Sequence, residues 1–336
     1  MMKAIQMTEQ GGPEVLRLVD LPDPQPGPGQ ILIRVQAASV NFSDVMRRRG
    51  DDYPVPTPSP FVPGAEVSGT VAALGEGVEE PAVGTPVFAM VGADASGGYA
   101  ELALAFAANV IPVPPGLDPD AAAGIVVAGL AATLILTRTA AVEKGQSVFV
   151  PAAAGGVGGY AVQIAKLLGA GTVIAGASTE AKRNIALGLG ADHAVDYNDP
   201  AWTRTVRDLT GGTGVDVALE MSGGDRLAQT LGVLAPFGSL VVFGSVSGAP
   251  GRLDERAVLP WLYDPAPNQS VVGFNLGPWF ELRLPTAVAA LQQLIEWVGS
   301  GQVRVPVPHP LPLARAAEAH RLLESGATTG KLVLKP

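Results

Sequence analysis

Residues Val148–Ala170 read VFVPAAAGGVGGYAVQIAKLLGA, and this stretch decides the fold. A β-branched run leads into a glycine-rich turn, Ala153-x-Gly155-x-x-Gly158, and the residues after the turn are apolar at helical spacing. A pyrophosphate can rest on the N-terminus of such a helix, because glycines permit close approach and the first N–H groups are unpaired. The first glycine of the usual motif is replaced by Ala153, so the strand before and the helix after carry the prediction of dinucleotide binding. The alternative is a flexible glycine-rich loop that binds nothing.

The chain around this turn alternates between strands and helices. The predicted strands are 147–152, 172–177, 193–197, 215–221, 240–244 and 270–276. The predicted helices between them are 158–168, 179–189, 201–209 and 226–234. This alternation predicts βαβ units and a doubly wound parallel sheet of α/β class.

The regions on either side of this alternating segment have a different sequence pattern. Residues 1–119 contain short strands, among them 31–37, 66–74 and 86–91, separated by proline and glycine turns, which is typical of a barrel-like module. The segment 254–268 has no regular pattern. The tail contains two predicted helices, 286–298 and 314–323, and a strand at 331–335.

Composition excludes several classes of protein. The chain has 336 residues, no cysteine and a formal net charge of −9. It therefore has no disulfides or cysteine-ligated metal, and neither nucleic acid nor an anionic membrane is expected as its main partner. The apolar run Ala121–Thr137 is rich in alanine and predicts a buried helix rather than a membrane span. With no signal peptide recognisable, we expect a cytoplasmic protein.

The second predicted strand of the sheet bears on the choice of dinucleotide. NAD sites carry an acid at the end of this strand, whereas Thr172–Ala177 carries none. Ser178, with Lys182 or Arg183, supplies the hydroxyl and the cation that a 2′-phosphate needs. Glu180 counts against this prediction, and Ser178–Arg183 could instead be a helix cap with solvated charges. The pattern favours NADPH over NADH.

Several segments together resemble the medium-chain dehydrogenase/reductase superfamily. Within it, the chain is most similar to the zinc-free NADPH:quinone oxidoreductases, the group that includes ζ-crystallin. The matching segments are Asn41–Gly50 (NFSDVMRRRG), Val62–Gly69 (VPGAEVSG), Ala153–Gly158 (AAGGVG), Lys182–Tyr197 and Gly326–Leu334 (GATTGKLVL).

The resemblance implies a Rossmann domain inserted into a GroES-like, strand-rich catalytic domain. The expected boundaries are 1–122 for the first part of the catalytic domain, 123–265 for the NADPH-binding domain, and 266–336 for the return, including an edge strand of the Rossmann sheet. The resemblance also implies a homodimer or homotetramer.

The resemblance implies these positions for the cofactor contacts. The pyrophosphate would meet Gly155, Gly156, Val157 and Gly158. The adenosine 2′-phosphate would lie among Ser178, Lys182 and Tyr197. The nicotinamide side would involve Phe243, Gly244, Ser245, Phe274, Asn275, Leu276 and Lys331.

The residues also depart from the zinc-dependent members of the superfamily. Those enzymes place Cys where Asn41 stands and His where Ala65 stands, and here only the neighbouring Glu66 is kept. The histidines, His193, His309 and His320, fall in separate segments and are interpreted as surface or cap residues. No metal site is therefore expected.

Without a metal, the hydride acceptor must already be electrophilic, as quinones and α,β-unsaturated carbonyls are. The candidate catalytic donors are Asn41, Arg48 and Tyr53, with Asp44 as an orienting group. A solvated charged loop is the alternative interpretation of the arginines at 47–49, and a turn aromatic that of Tyr53. The leading hypothesis is a zinc-independent, NADPH-dependent quinone reductase. The alternatives are a 2-enoyl-thioester or enone reductase and, from another class, an NADPH-binding sensor or RNA-binding protein with little turnover.

Overall fold

The two ends of the chain build one of two compact units. In the computed structural model, which describes residues 1–249 and 268–336, this unit comprises Met1–Val127 and Val305–Pro336. Its first strands are β1 (Met2–Gln6), β2 (Arg17–Leu21), β3 (Gln30–Val40), β4 (Glu66–Leu74), β5 (Pro86–Met90), β6 (Leu102–Phe106) and β7 (Val110–Pro112). Its helices include α1 (Phe42–Arg49) and α2 (Pro119–Ala122), and α3 (Val126–Leu134) continues into the second unit.

The second unit, Ala128–Arg304, is built on a six-stranded sheet. Its strands are β8 (Ser147–Val150), β9 (Thr172–Gly176), β10 (His193–Val195), β11 (Val215–Glu220), β12 (Leu234–Val242) and β13 (Ser270–Gly273). Its helices are α4 (Gly156–Leu167), α5 (Glu180–Gly188), α6 (Trp202–Leu209), α7 (Asp225–Leu231), α8 (Gly277–Leu282) and α9 (Leu284–Gly299). The order is β10-β9-β8-β11-β12-β13 and every neighbouring pair is parallel, which confirms the predicted doubly wound sheet.

The chain then returns to the first unit through β14 (Pro308–Pro312), α10 (Ala316–Glu324) and β15 (Lys331–Lys335). The sheet there has the order β14-β15-β3-β4-β5-β7, with β6 paired to β3. The long strand β3 is central because alternate residues such as Ile31 and Ile33 are completely buried in an apolar core. The antiparallel register sets Leu332 opposite Val40, which brings the start of β15 beside the end of β3.

The apolar run at 121–137 is not one continuous helix. It contains the end of α2, all of α3 and a π-helical turn at Ile135–Thr139. The break falls at Gly124, where a Cβ would lie 3.0 Å from Cγ of Lys331, so the missing side chain makes room for the lysine stem. No helix among the described residues is long and apolar enough to cross a membrane.

Two segments differ from the sequence expectations. The second unit continues to Arg304 rather than ending near residue 265, because α9 packs Ala290 against Leu130 and Leu134 of α3. Strand β12 begins at Leu234 rather than 240, since a register irregularity against β11 accommodates Phe237 at a φ of 63°. The expected irregular segment 254–268 lies outside the described residues except for its last position.

Candidate active site

The cofactor residues predicted in the second unit all follow the carboxyl ends of strands in the six-stranded sheet. The glycine turn at 155–158 follows β8, Ser178 and Lys182 follow β9, Tyr197 follows β10, Phe243–Ser245 follows β12, and Phe274–Leu276 follows β13. Because the strands are parallel, these residues share one edge of the sheet. This is the edge at which open α/β sheets bind their ligands.

The glycine turn has the backbone geometry that a pyrophosphate requires. Gly155 caps α4, and no hydrogen bond within the described residues occupies the N–H groups of Gly156, Val157 and Gly158. A Cβ on Gly158 would lie 2.3 Å from the carbonyl oxygen of Ala152, so only glycine fits there. Three unpaired N–H groups at the positive end of a helix form an anion site, and the turn therefore fits a dinucleotide.

The expected 2′-phosphate end contains no acid at the end of β9 in the described structure. Arg183 lies 3.0 Å from a carboxylate oxygen of Asp196, so its charge is already compensated. Lys182 lies in the first turn of α5, where partial burial lowers its pKa. Lys182 and Arg183 both stay candidates for a phosphate contact, as the sequence predicts.

The aromatic ring of Tyr197 has a cationic neighbour that the sequence did not reveal. The guanidinium of Arg226 lies 4.7 Å from the ring centroid and also donates to the carbonyl of Tyr197. Nothing in the sequence pairs these residues, because they follow different strands of the sheet. The interaction fixes the tyrosine at the edge of the expected adenosine site.

The two segments expected on the nicotinamide side lie next to each other. The N–H of Phe274 donates to the carbonyl oxygen of Val242 at 2.8 Å, and Phe243 donates to that of Glu220 at 2.9 Å. The parallel register of Val242 with Gly273 aligns the ends of β12 and β13. The segments 243–245 and 274–276 therefore leave the sheet side by side.

In the first unit, Asn41, Glu66 and Lys331 form a buried polar cluster. The Asn41 amide oxygen accepts from Nζ of Lys331 at 2.6 Å, and its Nδ2 donates to Oε1 of Glu66 at 3.1 Å. The ammonium lies 3.6 Å from that same Oε1. The other Glu66 oxygen accepts from the N–H of Val127 at 2.8 Å. The structure thus places Lys331, expected on the nicotinamide side, in contact with the candidate donor Asn41.

Asp44 lies beneath this cluster as a buried carboxyl group. It accepts from the backbone N–H of Asn41 at 2.8 Å, from that of Gly64 at 3.2 Å, and from the Tyr99 hydroxyl at 3.1 Å. Burial raises its pKa to about 6 despite these donors. Asp44 therefore orients the start of α1 and the loop at Gly64, as an orienting residue should.

The interpretation of the arginines at 47–49 as a solvated loop is wrong. They form the last turn of α1, and Arg47 and Arg48 keep only 2% and 1% of their side-chain surface exposed. Arg48 forms a two-pronged ion pair with Glu324, at 2.6 and 3.2 Å. Since this pair occupies both terminal nitrogens, a contact between Arg48 and substrate would first have to break it.

Tyr53 lies in a loop after α1 and is half-buried. The guanidinium of Arg47 lies 5.6 Å from its ring. Burial raises the pKa of Tyr53, so the phenol stays protonated and is a hydrogen-bond donor at neutral pH. Tyr53 therefore stays a candidate hydrogen-bond donor to the substrate. Arg48, in contrast, is engaged in the ion pair with Glu324.

The histidines do not share one environment. His193 and His309 are exposed, as expected of surface residues. His320 is completely buried, so its interpretation as a surface or cap residue is wrong. The sequence contained one signal that was missed, namely that His320 falls on the same face of α10 as the buried alanines Ala316 and Ala319.

The chain is similar to known proteins over its whole length. The family model for the alcohol dehydrogenase GroES-like domain matches residues 27–115, and that for zinc-binding dehydrogenases matches 189–334. A quinone oxidoreductase of Pseudomonas aeruginosa is 34% identical over 100% of both chains. The chain belongs to the quinone oxidoreductase branch of the medium-chain dehydrogenase/reductase superfamily.

This quinone oxidoreductase-type chain is also similar to two further proteins. A 2-haloacrylate reductase of a Burkholderia species is 33% identical over 100% of this chain and 99% of its own. The structure of Escherichia coli quinone oxidoreductase complexed with NADPH has a TM-score of 0.89 and 30% identity, covering 99% of this chain and 100% of that one. The fold predicted from the resemblance is confirmed.

One family model carries zinc in its description, and the residues of this quinone oxidoreductase-type chain do not fit that metal. Where the zinc enzymes have Cys and His, it has Asn41 and Ala65, neither of which is a zinc ligand of the usual kind. Within residues 1–249 and 268–336, no group of three or more histidines or carboxylates is arranged to hold a metal ion. The remaining carboxylate, Glu66, faces the ammonium of Lys331 instead.

Proposed function

We propose that the protein is a zinc-independent reductase that transfers hydride from NADPH to a quinone. The observation that carries the proposal is the buried cluster of Asn41, Glu66 and Lys331, because Asn41 stands where the zinc enzymes of the superfamily have a cysteine ligand. An amide N–H stabilises an oxyanion by hydrogen bonding, and here the carboxylate and the ammonium hold that amide, but none of these groups activates an alcohol as a metal does. The acceptor must therefore be electrophilic by itself, which quinones are.

The proposed cofactor follows from the sheet edge of the second unit. The bare N–H groups after Gly155 suit a pyrophosphate, and the missing acid after β9 favours a 2′-phosphate over a free ribose hydroxyl. The Escherichia coli relative, whose structure was solved in complex with NADPH, supports the same choice. NADPH supplies the hydride, which carries two electrons to the acceptor.

The protein's own task is to stabilise the oxygen that becomes negative. One N–H of the Asn41 amide donates to Glu66, and no described residue accepts from the other. Asn41 is buried, with 7% of its surface exposed. We propose that this N–H and the Tyr53 hydroxyl donate to the oxyanion, and that water supplies the final proton.

A second candidate acceptor is an activated alkene conjugated to a carbonyl or carboxylate. The 2-haloacrylate reductase relative favours it, and hydride addition to the β-carbon of such a compound also places negative charge on oxygen. The same donors would serve both reactions. For its setting we propose a cytoplasmic homodimer or homotetramer, as the resemblance implies.

The test is a steady-state screen with NADPH and NADH against benzoquinone, 2-chloroacrylate and an enoyl thioester. We expect NADPH-dependent reduction of the quinone, and Asn41→Ala to lower kcat by about 100-fold, as loss of an oxyanion donor does. The matched control is Asn109→Ala, which removes an exposed amide of the same unit. NADPH binding without reduction of any acceptor would instead support the cofactor-binding protein with little turnover.

A further inference from the structure

The polar cluster of the first unit contains the ammonium of Lys331. In the zinc-dependent members of the superfamily, the cation expected beside these residues is a zinc ion. Lys331 is 5% exposed and its Nζ lies among three acceptors: Oδ1 of Asn41 at 2.6 Å, the carbonyl oxygen of Val40 at 3.4 Å and Oε1 of Glu66 at 3.6 Å. Burial lowers the pKa of Lys331, while Glu66 and Asp44 oppose that shift. A buried ammonium is costly unless it is paired, so the cluster needs all of these acceptors.

The contacts determine which way the Asn41 amide points. Its oxygen faces the ammonium and its nitrogen faces the carboxylate. Rotating the amide by half a turn would set N–H groups against Lys331 and the oxygen against Glu66, and both contacts would be repulsive. Asn41 occupies the N-cap position of α1, where its backbone N–H donates to Oδ2 of Asp44 at 2.8 Å.

We propose that Lys331 is a positioning residue that replaces the metal of the zinc enzymes: its ammonium locks the amide of Asn41 so that one N–H stays available to the acceptor oxygen. This inference rests on the proposed function and names the group that makes Asn41 an effective donor. The ammonium also withdraws electrons through Oδ1, which strengthens the remaining N–H as a donor. Lys331 acts through Asn41 and does not itself touch the substrate.

The surrounding elements are built to hold the lysine in place. Its stem passes Gly124, where a Cβ would approach Cγ to 3.0 Å, and its strand pairs with β3 beside Asn41. Glu66 is held from the opposite side by the N–H of Val127. These contacts all lie within the first unit, so the amide is oriented before any ligand arrives.

The experiment compares Lys331→Met and Lys331→Arg with the wild-type protein, and Lys335→Met is the matched control. Lys335 lies on the same strand but pairs with Asp120, outside the cluster. We expect Lys331→Met to lower kcat for quinone reduction by about 100-fold, the cost of a misplaced group. The Kd of NADPH, measured by its fluorescence, should not change. Lys331→Arg should restore most of the loss, and Lys335→Met should leave kcat unchanged.

A second measurement does not depend on turnover. The chain has six asparagines, so ¹⁵N-asparagine labelling gives few side-chain amide signals, and that of Asn41 is assigned by its absence in Asn41→Asp. Lys331→Met should shift the Asn41 signal, whereas Lys335→Met should not. If Lys331→Met does not fold, the double variant Lys331→Met/Glu66→Gln removes both charges together and takes its place.

The outcomes separate the two proposals. An unmoved Asn41 signal together with an unchanged kcat overturns the positioning role. A Kd for NADPH that rises as far as kcat/KM falls also overturns it, and makes Lys331 a cofactor contact as the resemblance implies. If the wild-type protein reduces no acceptor, the proposed function fails, and the position of the Asn41 signal alone decides whether Lys331 orients the amide.

Discussion

The Tyr99 hydroxyl lies 3.2 Å from Nε2 of His320, although 221 residues separate them in the chain. The two rings meet edge to face, with centroids 5.9 Å apart. The same hydroxyl lies 3.1 Å from Oδ2 of Asp44, so the C-terminal helix α10 is linked to the base of the candidate active site. The second ring nitrogen of His320, Nδ1, is buried without a partner in the described structure. The imidazole is therefore held in its neutral form.

His320 should make the protein sensitive to acid. Burial, together with the charge of Arg48, lowers the pKa of His320 from 6.5 to about 3. A group whose pKa falls on folding contributes stability above its unfolded pKa, and this contribution is lost as the pH falls through the folded value. We expect the free energy of unfolding of the wild-type protein to fall, relative to His320→Phe, as the pH drops from 6.5 towards 3.

Urea unfolding at a series of pH values measures this difference. His193→Phe is the control, because it makes the same replacement at an exposed histidine. Parallel stability curves for the wild-type protein and His320→Phe would show that folding does not lower the pKa of His320.

Lys182 should distinguish the two nucleotides. Lys182→Ala should raise the Kd of NADPH by about 10- to 100-fold, the value of one charge-assisted contact to phosphate, and change that of NADH little. The matched control is Lys166→Ala, since Lys166 belongs to the same unit and pairs with Asp192 at 2.9 Å. Fluorescence titration with each nucleotide gives both constants. Equal losses for NADPH and NADH would mean that Lys182 does not read the 2′-phosphate.

The parallel sheet could be predicted from the sequence because its signals are local. The strand before Gly155, the glycine turn and the apolar face of α4 lie within one short stretch, and each βα unit after it repeats the pattern. The predicted strand ends also indicated where the cofactor residues lie, because the carboxyl ends of parallel strands meet at one edge of the sheet.

The buried polar clusters could not be predicted from the sequence, because their members are distant in the chain. No sequence signal near Arg48 predicts its ion pair with Glu324. A run of arginines is also typical of a solvated surface. Likewise Lys331 is 290 residues from Asn41, and only the pairing of β15 with β3 brings them together. Such contacts depend on tertiary structure rather than on local periodicity.

The glycine turn gives a prediction about both stability and binding. In Gly158→Ala the new methyl group would lie 2.3 Å from the carbonyl oxygen of Ala152, so the turn must move. We expect a lower melting temperature and a loss of NADPH binding, because the N–H groups of the turn no longer converge. The matched control is Gly188→Ala in α5, where a Cβ meets nothing within 4 Å and helix propensity predicts a gain of up to about 1 kcal/mol. If Gly158→Ala bound NADPH with unaltered affinity, the turn would not be part of the cofactor site.

The ion pair of Arg48 and Glu324 gives a prediction that separates structure from catalysis. Glu324→Gln keeps the size of the side chain but removes the charge that compensates a guanidinium with 1% of its side-chain surface exposed. We expect the free energy of unfolding to fall by about 2 kcal/mol, because a buried cation is left without its counterion. Glu318 of the same helix is partly exposed and pairs with Arg315 at the N-cap, and Glu318→Gln should have little effect on stability. Thermal unfolding measures these changes, and kcat for quinone reduction, normalised to folded protein, should be the same in both variants. If kcat fell in Glu324→Gln but not in Glu318→Gln while stability was unchanged, Arg48 would act on the substrate, as the sequence first suggested, rather than anchor α1 to α10.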